Sequence, residues 1–124
     1  MAKSVDLELR KAFNDLQVKT VETKKKIRLI DSQISTLVKM LALTDLTYQK
    51  VITLPPNTKT YESVGRMFLL TELDQVQNNL RNSLDLISAR IHDYENNKQY
   101  LESNVKESKN NIREMVQHKK EELS

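Results

Sequence analysis

From Leu9 onward, apolar and small side chains recur in alternating steps of four and three: Leu9, Phe13, Leu16, Thr20, Thr23, Ile27, Ile30, Ile34, Leu37 and Leu41. That spacing keeps one stripe on one face of an α-helix and is the seam of a coiled coil. The alternation returns at Leu73 and runs through Gln77, Leu80, Leu84, Ile87, Ile91, Tyr94, Lys98, Leu101, Val105, Ser108, Ile112 and Met115. Several of its steps are polar, yet the phase never slips. The glycine and prolines of the chain, Gly65, Pro55 and Pro56, fall between the two stretches, so residues 1–54 and 66–124 contain no helix breaker. Ser4 reads as an N-cap, with Asp6 and Glu8 near the positive helix end. Thr71-x-x-Asp74 reads as a capping box for the second arm, and His118, Lys119 and Lys120 suit its negative end. At 1.5 Å per residue the arms would extend roughly 55 Å and 70 Å, longer than a compact domain of this size needs. The pattern predicts a mainly α fold in one domain, 1–124. It is a long antiparallel two-helix coiled-coil hairpin with helices over 5–42 and 71–122 and one central β-hairpin within 43–70.

In an antiparallel pair the numbers of facing residues add to a constant. A sum near 121 seats Leu9 on Ile112, Leu16 on Val105, Ile30 on Ile91 and Leu41 on Leu80, and sets Thr23 opposite Lys98. A sum near 114 leaves Ile112 opposite Ala2. The first leaves less apolar surface in water and is the expected register. Polar seam positions Thr20, Thr23, Tyr94 and Lys98 read as register-setting first, and as points of flexing second.

The centre breaks the period. Leu43-Thr44-Asp45-Leu46-Thr47 carries cap-type residues and predicts a short helix through about Thr53, although Val51-Ile52-Thr53-Leu54 would also suit a strand. Pro55-Pro56-Asn57 is a break. Lys59–Ser63 and Arg66–Leu70 predict the β-hairpin, turning at Val64-Gly65, where Gly65 tolerates a positive φ. A lone two-stranded ribbon is marginal in water. In this one, Met67-Phe68-Leu69-Leu70 sends apolar side chains to both faces, and the strand edges are open. Equivalent hairpins from other subunits would cover them; the alternative is that the hairpin folds onto the base of its own coiled coil.

Composition narrows the functional classes. With 38% hydrophobic residues, 30% charged and no Trp, a core must be thin. The absence of cysteine excludes disulfides and thiolate metal sites. No apolar run approaches the ~20 residues of a membrane span, and Met1 to Asp6 shows no signal segment, so a cytoplasmic protein with no membrane association is expected. Net charge is +3, and the basic cluster Lys24-Lys25-Lys26 with Arg28 reads as a solvated helix face; a nucleic-acid binder would show a denser stripe. Enzyme chemistry finds no nucleophile elbow, phosphate-binding glycine loop or zinc spacing. His92 and His118 read as solvent-facing. Asp74, Asp85, Asp93 and Glu95 are scattered acids without the concave site that paired catalysis needs. Neither catalytic activity, cofactor nor metal is expected.

Between the heptad arms, Tyr61-Glu62-Ser63-Val64-Gly65-Arg66-Met67-Phe68 resembles the hairpin of a β-type prefoldin subunit. The segments Val5–Phe13, Tyr100–Glu107 and Asn111–Met115 are also similar to the prefoldin family, so the resemblance covers about Val5 to Met115. It implies a hexamer of two α-type and four β-type subunits, joined through hairpins into a β-barrel platform. It implies an ATP-independent co-chaperone that holds unfolded proteins, such as actin and tubulin, and delivers them to the cytosolic chaperonin. Carried onto this chain, oligomerisation maps to Tyr61, Val64, Gly65, Met67, Phe68, Leu69 and Leu70. Client binding maps to the arm tips, with Val5, Leu7, Leu9 and Phe13 on one helix and Ile112, Met115 and Val116 on the other. Leu7 and Val116 lie off the seam and are expected to stay exposed; Leu9, Phe13, Ile112 and Met115 are expected mainly to pack on one another. The competing reading is a generic coiled-coil scaffold or tether, for which the apolar strands 67–70 would have no use.

Overall fold

The computed structural model describes the backbone of residues 2–123 and the side chains from Asp6 to Leu123. Its elements are α1 (Ala2–Ile52), β1 (Thr60–Val64), β2 (Met67–Thr71) and α2 (Leu73–Leu123). Each helix has 51 residues. The fold is mainly α: two long antiparallel helices paired along a heptad seam and joined by one β-hairpin.

The first helix does not end near residue 42. Its seam continues in the same steps past Leu41 through Thr44, Tyr48 and Val51, all half-buried. The cap-type residues that suggested a break are absorbed by the helix: the Thr47 hydroxyl donates to the Leu43 carbonyl at 2.9 Å, a back-bond that satisfies a threonine inside a helix. Helix α1 closes with a tightened last turn, Thr53 N–H on Lys50 carbonyl and Leu54 N–H on Val51 carbonyl, while the Thr53 hydroxyl donates to Lys50 carbonyl at 2.7 Å. Thr58 N–H then closes a turn on Pro55 carbonyl. At the other end α1 begins two residues before Ser4, so Ser4 is not its N-cap.

The strands pair antiparallel, Thr60 with Thr71 through Val64 with Met67. The turn is therefore Gly65-Arg66, one residue later than expected. Gly65 has φ 61°, and no non-glycine among the described residues has a positive φ. A positive φ at the first loop position and a negative one at the second mark a type II′ turn. That geometry requires glycine as the first loop residue, which fixes where the hairpin reverses. Thr71 belongs to the strand and is not a helix cap: its carbonyl accepts from the Thr60 hydroxyl, and its own hydroxyl donates to Leu69 carbonyl. Glu72 stands at the N-cap position, its carbonyl taking the first helical bond from Val76 N–H. Asp74 lies in the first turn of α2, where its charge suits the helix dipole.

Packing divides the chain into two compact units. In the unit of Met1–Ser32 with Glu95–Ser124, Thr23, Ile30 and Ile112 are buried along the seam. Lys19 Nζ donates to Ser108 Oγ at 3.4 Å, Lys98 Nζ lies 2.8 Å from Asp31 Oδ1, and Lys119 pairs with Asp6. The numbers of these partners add to between 125 and 129, so the register lies near 128, one heptad away from the expected sum of 121. Charge decides it. Near 121, Lys98 would stand beside Lys24; near 128, the equivalent neighbour is Asp31. The hydrogen bond that the Lys98 ammonium donates to Asp31 holds it above the ordinary lysine range, with burial opposing. Level positions in this register are Leu16 with Ile112 and Thr23 with Val105.

In the unit of Gln33–Tyr94, Ile87 is the buried hydrophobic residue. Arg81 Nη2 donates to Tyr48 Oη at 3.0 Å, and its guanidinium stands 5.9 Å from the Tyr48 ring centroid. Asn79 Nδ2 donates to Glu62 Oε1 at 2.9 Å, tying β1 to α2. Among the described residues only Ile30, Ile87 and Ile112 are buried hydrophobics, so each helix pair rests on a single narrow seam. None of the helices is long and apolar enough to cross a membrane, among the residues described.

The register has a direct test, because the chain is free of cysteine. Mild oxidation of a Leu16→Cys/Ile112→Cys variant is expected to give an intramolecular disulfide, seen as a faster band on a non-reducing gel. The pair Leu16→Cys/Val105→Cys, displaced by one heptad or about 10 Å, is expected to stay reduced. The reverse result would restore the register near 121.

Candidate functional site

Two surfaces carry chemistry beyond packing, one in each unit. The first is the β-hairpin. Alternation along the strands places Tyr61, Ser63, Phe68 and Leu70 on one face, and Glu62, Val64, Met67 and Leu69 on the other. The Glu62–Asn79 hydrogen bond turns the second face toward α2, yet that face stays open: Met67 is 68% exposed and Leu69 59%. The first face is equally bare, with Phe68 74% exposed. Tyr61, Val64 and Leu70 are exposed as well. The expected assembly residues therefore do gather on one ribbon, and the idea that the hairpin hides on its own helices is not what the structure shows. Gly65 makes the turn and has open space around its Cα, so its role is conformational.

The second surface lies where residues 7–20 of α1 meet residues 108–119 of α2. Here the structure splits the predicted set. Ile112 is buried, and Leu9 and Val116 are half-buried, so they pack; Leu7, Phe13 and Met115 are exposed. The side chain of Val5 lies outside the described residues. Two expectations change. Val116 turns inward and does not stand free, and Phe13 and Met115 turn outward and leave the seam. The cause is periodicity. Toward these ends the inward positions are 9, 12, 16 and 20 on α1, and 108, 112, 116 and 119 on α2. Two successive steps of four on each helix depart from the alternating heptad and rotate the inward stripe. Ala12 and Val116, apolar at those positions, are the signal in the sequence that marks the change.

The rotation opens a shallow groove of about 670 Å³ lined by Phe13, Leu16, Ile112 and Val116, with Lys109, Arg113 and Gln117 along it. In the sequence Leu16 reads only as seam, and no periodic rule singles out Lys109, Arg113 or Gln117. The groove offers an apolar floor with cationic and amide side chains at its margin. Such a surface can grip varied apolar segments without a shaped cavity.

Comparison with known proteins agrees with this geometry. The family described as "Prefoldin subunit" matches residues 14–119. Prefoldin subunit 1 of Mus musculus is 43% identical over 116 residues, covering 94% of this chain and 95% of the relative. Prefoldin subunit 1 of Tetraodon nigroviridis is 42% identical over the same span, and the probable prefoldin subunit 1 of Caenorhabditis elegans is 34% identical over 119 residues, covering 93% of this chain and 98% of the relative. Among solved structures, the prefoldin beta subunit from Thermococcus strain KS-1 shares the fold with a TM-score of 0.72 at 17% identity, covering 86% of this chain and 90% of that one. A match across most of the chain, joined to a β-type fold with one bare apolar hairpin, shows that this chain belongs to the prefoldin family of chaperone subunits.

Proposed function

We propose that this chain is a β-type member of a cytoplasmic prefoldin hexamer of two α-type and four β-type subunits. In this reading it performs no catalysis. It holds unfolded polypeptides, actin and tubulin among them, at the ends of its helices and passes them to the cytosolic chaperonin without ATP.

One observation carries the reading: an ordered ribbon with apolar residues bare on both faces. Burying Tyr61, Met67, Phe68, Leu69 and Leu70 at about 1.5–3 kcal/mol each supplies on the order of 10 kcal/mol gross. That is comparable to the roughly 4–15 kcal/mol that association costs. Burial of the ribbon is thus of the size needed to offset the cost of association, and the bare side chains favour a covered state. A scaffold that dimerises through its arms leaves this surface unexplained.

The holding surface follows from the groove and its exposed neighbours Leu7, Phe13 and Met115. Methionine and long side chains adapt to differently shaped apolar segments. Weak, adaptable contact suits a protein that must release its clients.

Phe68→Asp or Leu69→Asp, co-expressed with the remaining subunits, is expected to be absent from the six-chain complex in native mass spectrometry while its circular dichroism stays helical. Incorporation at wild-type level would remove the hairpin from the assembly role. Leu7→Ser/Met115→Ser is expected to enter the hexamer normally and to suppress aggregation of a denatured client about tenfold less well, the scale of two lost partial apolar contacts. Unchanged suppression would take these residues out of the holding site. Ile112→Ala should behave differently. It deletes a buried side chain and should destabilise the helix pair by about 2–5 kcal/mol, visible as a lower melting temperature of the isolated chain.

A further inference from the structure

Charge is sorted by flank where residues 7–20 of α1 meet residues 108–119 of α2. On α2, Arg113 follows the buried Ile112 by one residue and Glu114 follows it by two. Each step turns about 100° around the helix, so the two side chains leave on opposite flanks of the seam. A spacing of seven keeps a column on one flank. Lys106, Arg113 and Lys120 form such a column on one flank of α2, with Lys109 beside it, and Glu107, Glu114 and Glu121 form the column on the other. Helix α1 repeats the sorting. Glu8, Asp15 and Glu22 stand seven apart on one flank; Leu7, Asn14 and Val21 stand on the other, with Arg10, Gln17 and Lys24 beside them. All of these residues are exposed.

The groove opens on the flank without acids. Lys109 and Arg113 line it beside Phe13, Leu16, Ile112 and Val116. Asp15 instead lines a smaller cleft of about 220 Å³ on the other side of the same helix pair, with Lys19, Ser108 and Asn111. Over residues 7–24 of α1 and 106–120 of α2, the groove flank carries six cations, Arg10, Lys24, Lys106, Lys109, Arg113 and Lys120, and no aspartate or glutamate. The acids near its far end are engaged: Glu121 accepts from Gln117 at 3.5 Å, and Asp6 pairs with Lys119. Neither Lys109 nor Arg113 has an ion-pair partner among the described residues. They stand one helical turn apart, about 6 Å along the axis, over an apolar floor. Phosphate would suit the cations but not the floor, which offers nucleic-acid bases one aromatic ring, Phe13, to stack on. A polypeptide segment that mixes apolar and acidic side chains suits both.

We propose that the groove favours unfolded segments whose apolar residues are flanked by aspartate or glutamate. The carboxylates meet Lys109 and Arg113 while the apolar side chains lie on Phe13, Leu16, Ile112 and Val116. The inference rests on the reading of the groove as a holding surface and adds the class of segment it selects. Each exposed ion pair contributes little, and complementary charge acts mainly on selection and encounter. Two such contacts amount to about a fivefold preference, which shrinks as salt screens them.

The test uses the complete complex and reads this chain alone. Asn14→Cys places a single thiol on the groove flank of an otherwise cysteine-free chain, and it is labelled with a benzophenone photocrosslinker before assembly. Three peptides share one apolar core and differ in their flanks, which are acidic, serine or lysine. At low salt and subsaturating peptide, crosslinking is expected to be about fivefold stronger for the acidic than for the serine-flanked peptide and weakest for the lysine-flanked one. The difference is expected to close at about 1 M salt. Adding Lys109→Glu/Arg113→Glu is expected to reverse the order, and its isolated chain should melt as the parent does because both side chains are exposed. Equal yields for the three peptides, or an order that survives the double substitution, overturns the proposal. Stronger competition by single-stranded DNA than by unlabelled acidic-flanked peptide assigns the flank to nucleic acid and overturns it too. The serine-flanked peptide separates the two readings. If it and the others all fail to crosslink, the groove is not a holding surface. If all three crosslink equally, holding stands and only the charge preference is refuted.

Discussion

A two-stranded ribbon has two faces and two edges, and a pair of helices can shelter only part of one face. That constraint organises this molecule. Tyr61 and Phe68 on one side, and Met67 and Leu69 on the other, cannot all leave water within a single chain. Gly65 holds the strands in a tight type II′ reversal, Thr60 and Thr71 lock their far ends together, and Glu62 binds Asn79 of α2. The ribbon is thus built rigidly and left unsatisfied. Its ordering cost is met inside the chain, so a docking partner need not supply it, and preorganisation of this kind turns apolar area into affinity.

The helices solve a different problem with sparse means. Each pair has one seam, and few of its side chains are fully buried. Hydrophobic contact is a weak guide among registers one heptad apart, since each brings many Leu and Ile side chains onto the facing seam. Polar side chains make the choice. Lys98 occupies a seam position and finds Asp31 in one register and Lys24 in the next; Asp6 and Lys119 add a second pairing near the chain ends. An exposed ion pair contributes little net stability. Even so, a small energy decides between alternatives whose apolar contacts are nearly equal, and avoiding a like-charge neighbour adds to the difference.

The sequence reveals the fold through its breaker-free heptads and the lone glycine between them. It misleads where local chemistry and tertiary context compete. Thr44, Asp45 and Thr47 look like the end of a helix, because such residues cap; in place, Thr47 bonds back to Leu43 and the seam runs on through Tyr48 and Val51. Thr71 looks like a cap and is a strand end. Apolar surface alone favours a register near 121, whereas pairing Lys98 with an acid, Asp31, favours the one near 128. Of the candidate site, the bare ribbon was legible, since Met67-Phe68-Leu69-Leu70 cannot be buried by one helix. The tip was only half legible. Strict heptad phase sends Phe13 and Met115 inward, and the two successive steps of four reverse them with Ala12 and Val116.

The two apolar surfaces differ in chemistry. The ribbon presents open strand edges, whose backbone groups bond only to another strand in register, so its apolar faces are coupled to a directional requirement. The groove residues present no free backbone ladder, because they lie inside the helices and their backbone groups are paired along them. The groove offers only side-chain contact, apolar on its floor and polar at Lys109, Arg113 and Gln117. A strand partner gains on the ribbon what it cannot gain on the groove, and an irregular unfolded segment gains equally little direction from either. Burial backed by a directional backbone requirement is therefore confined to the ribbon. The groove offers burial without that requirement.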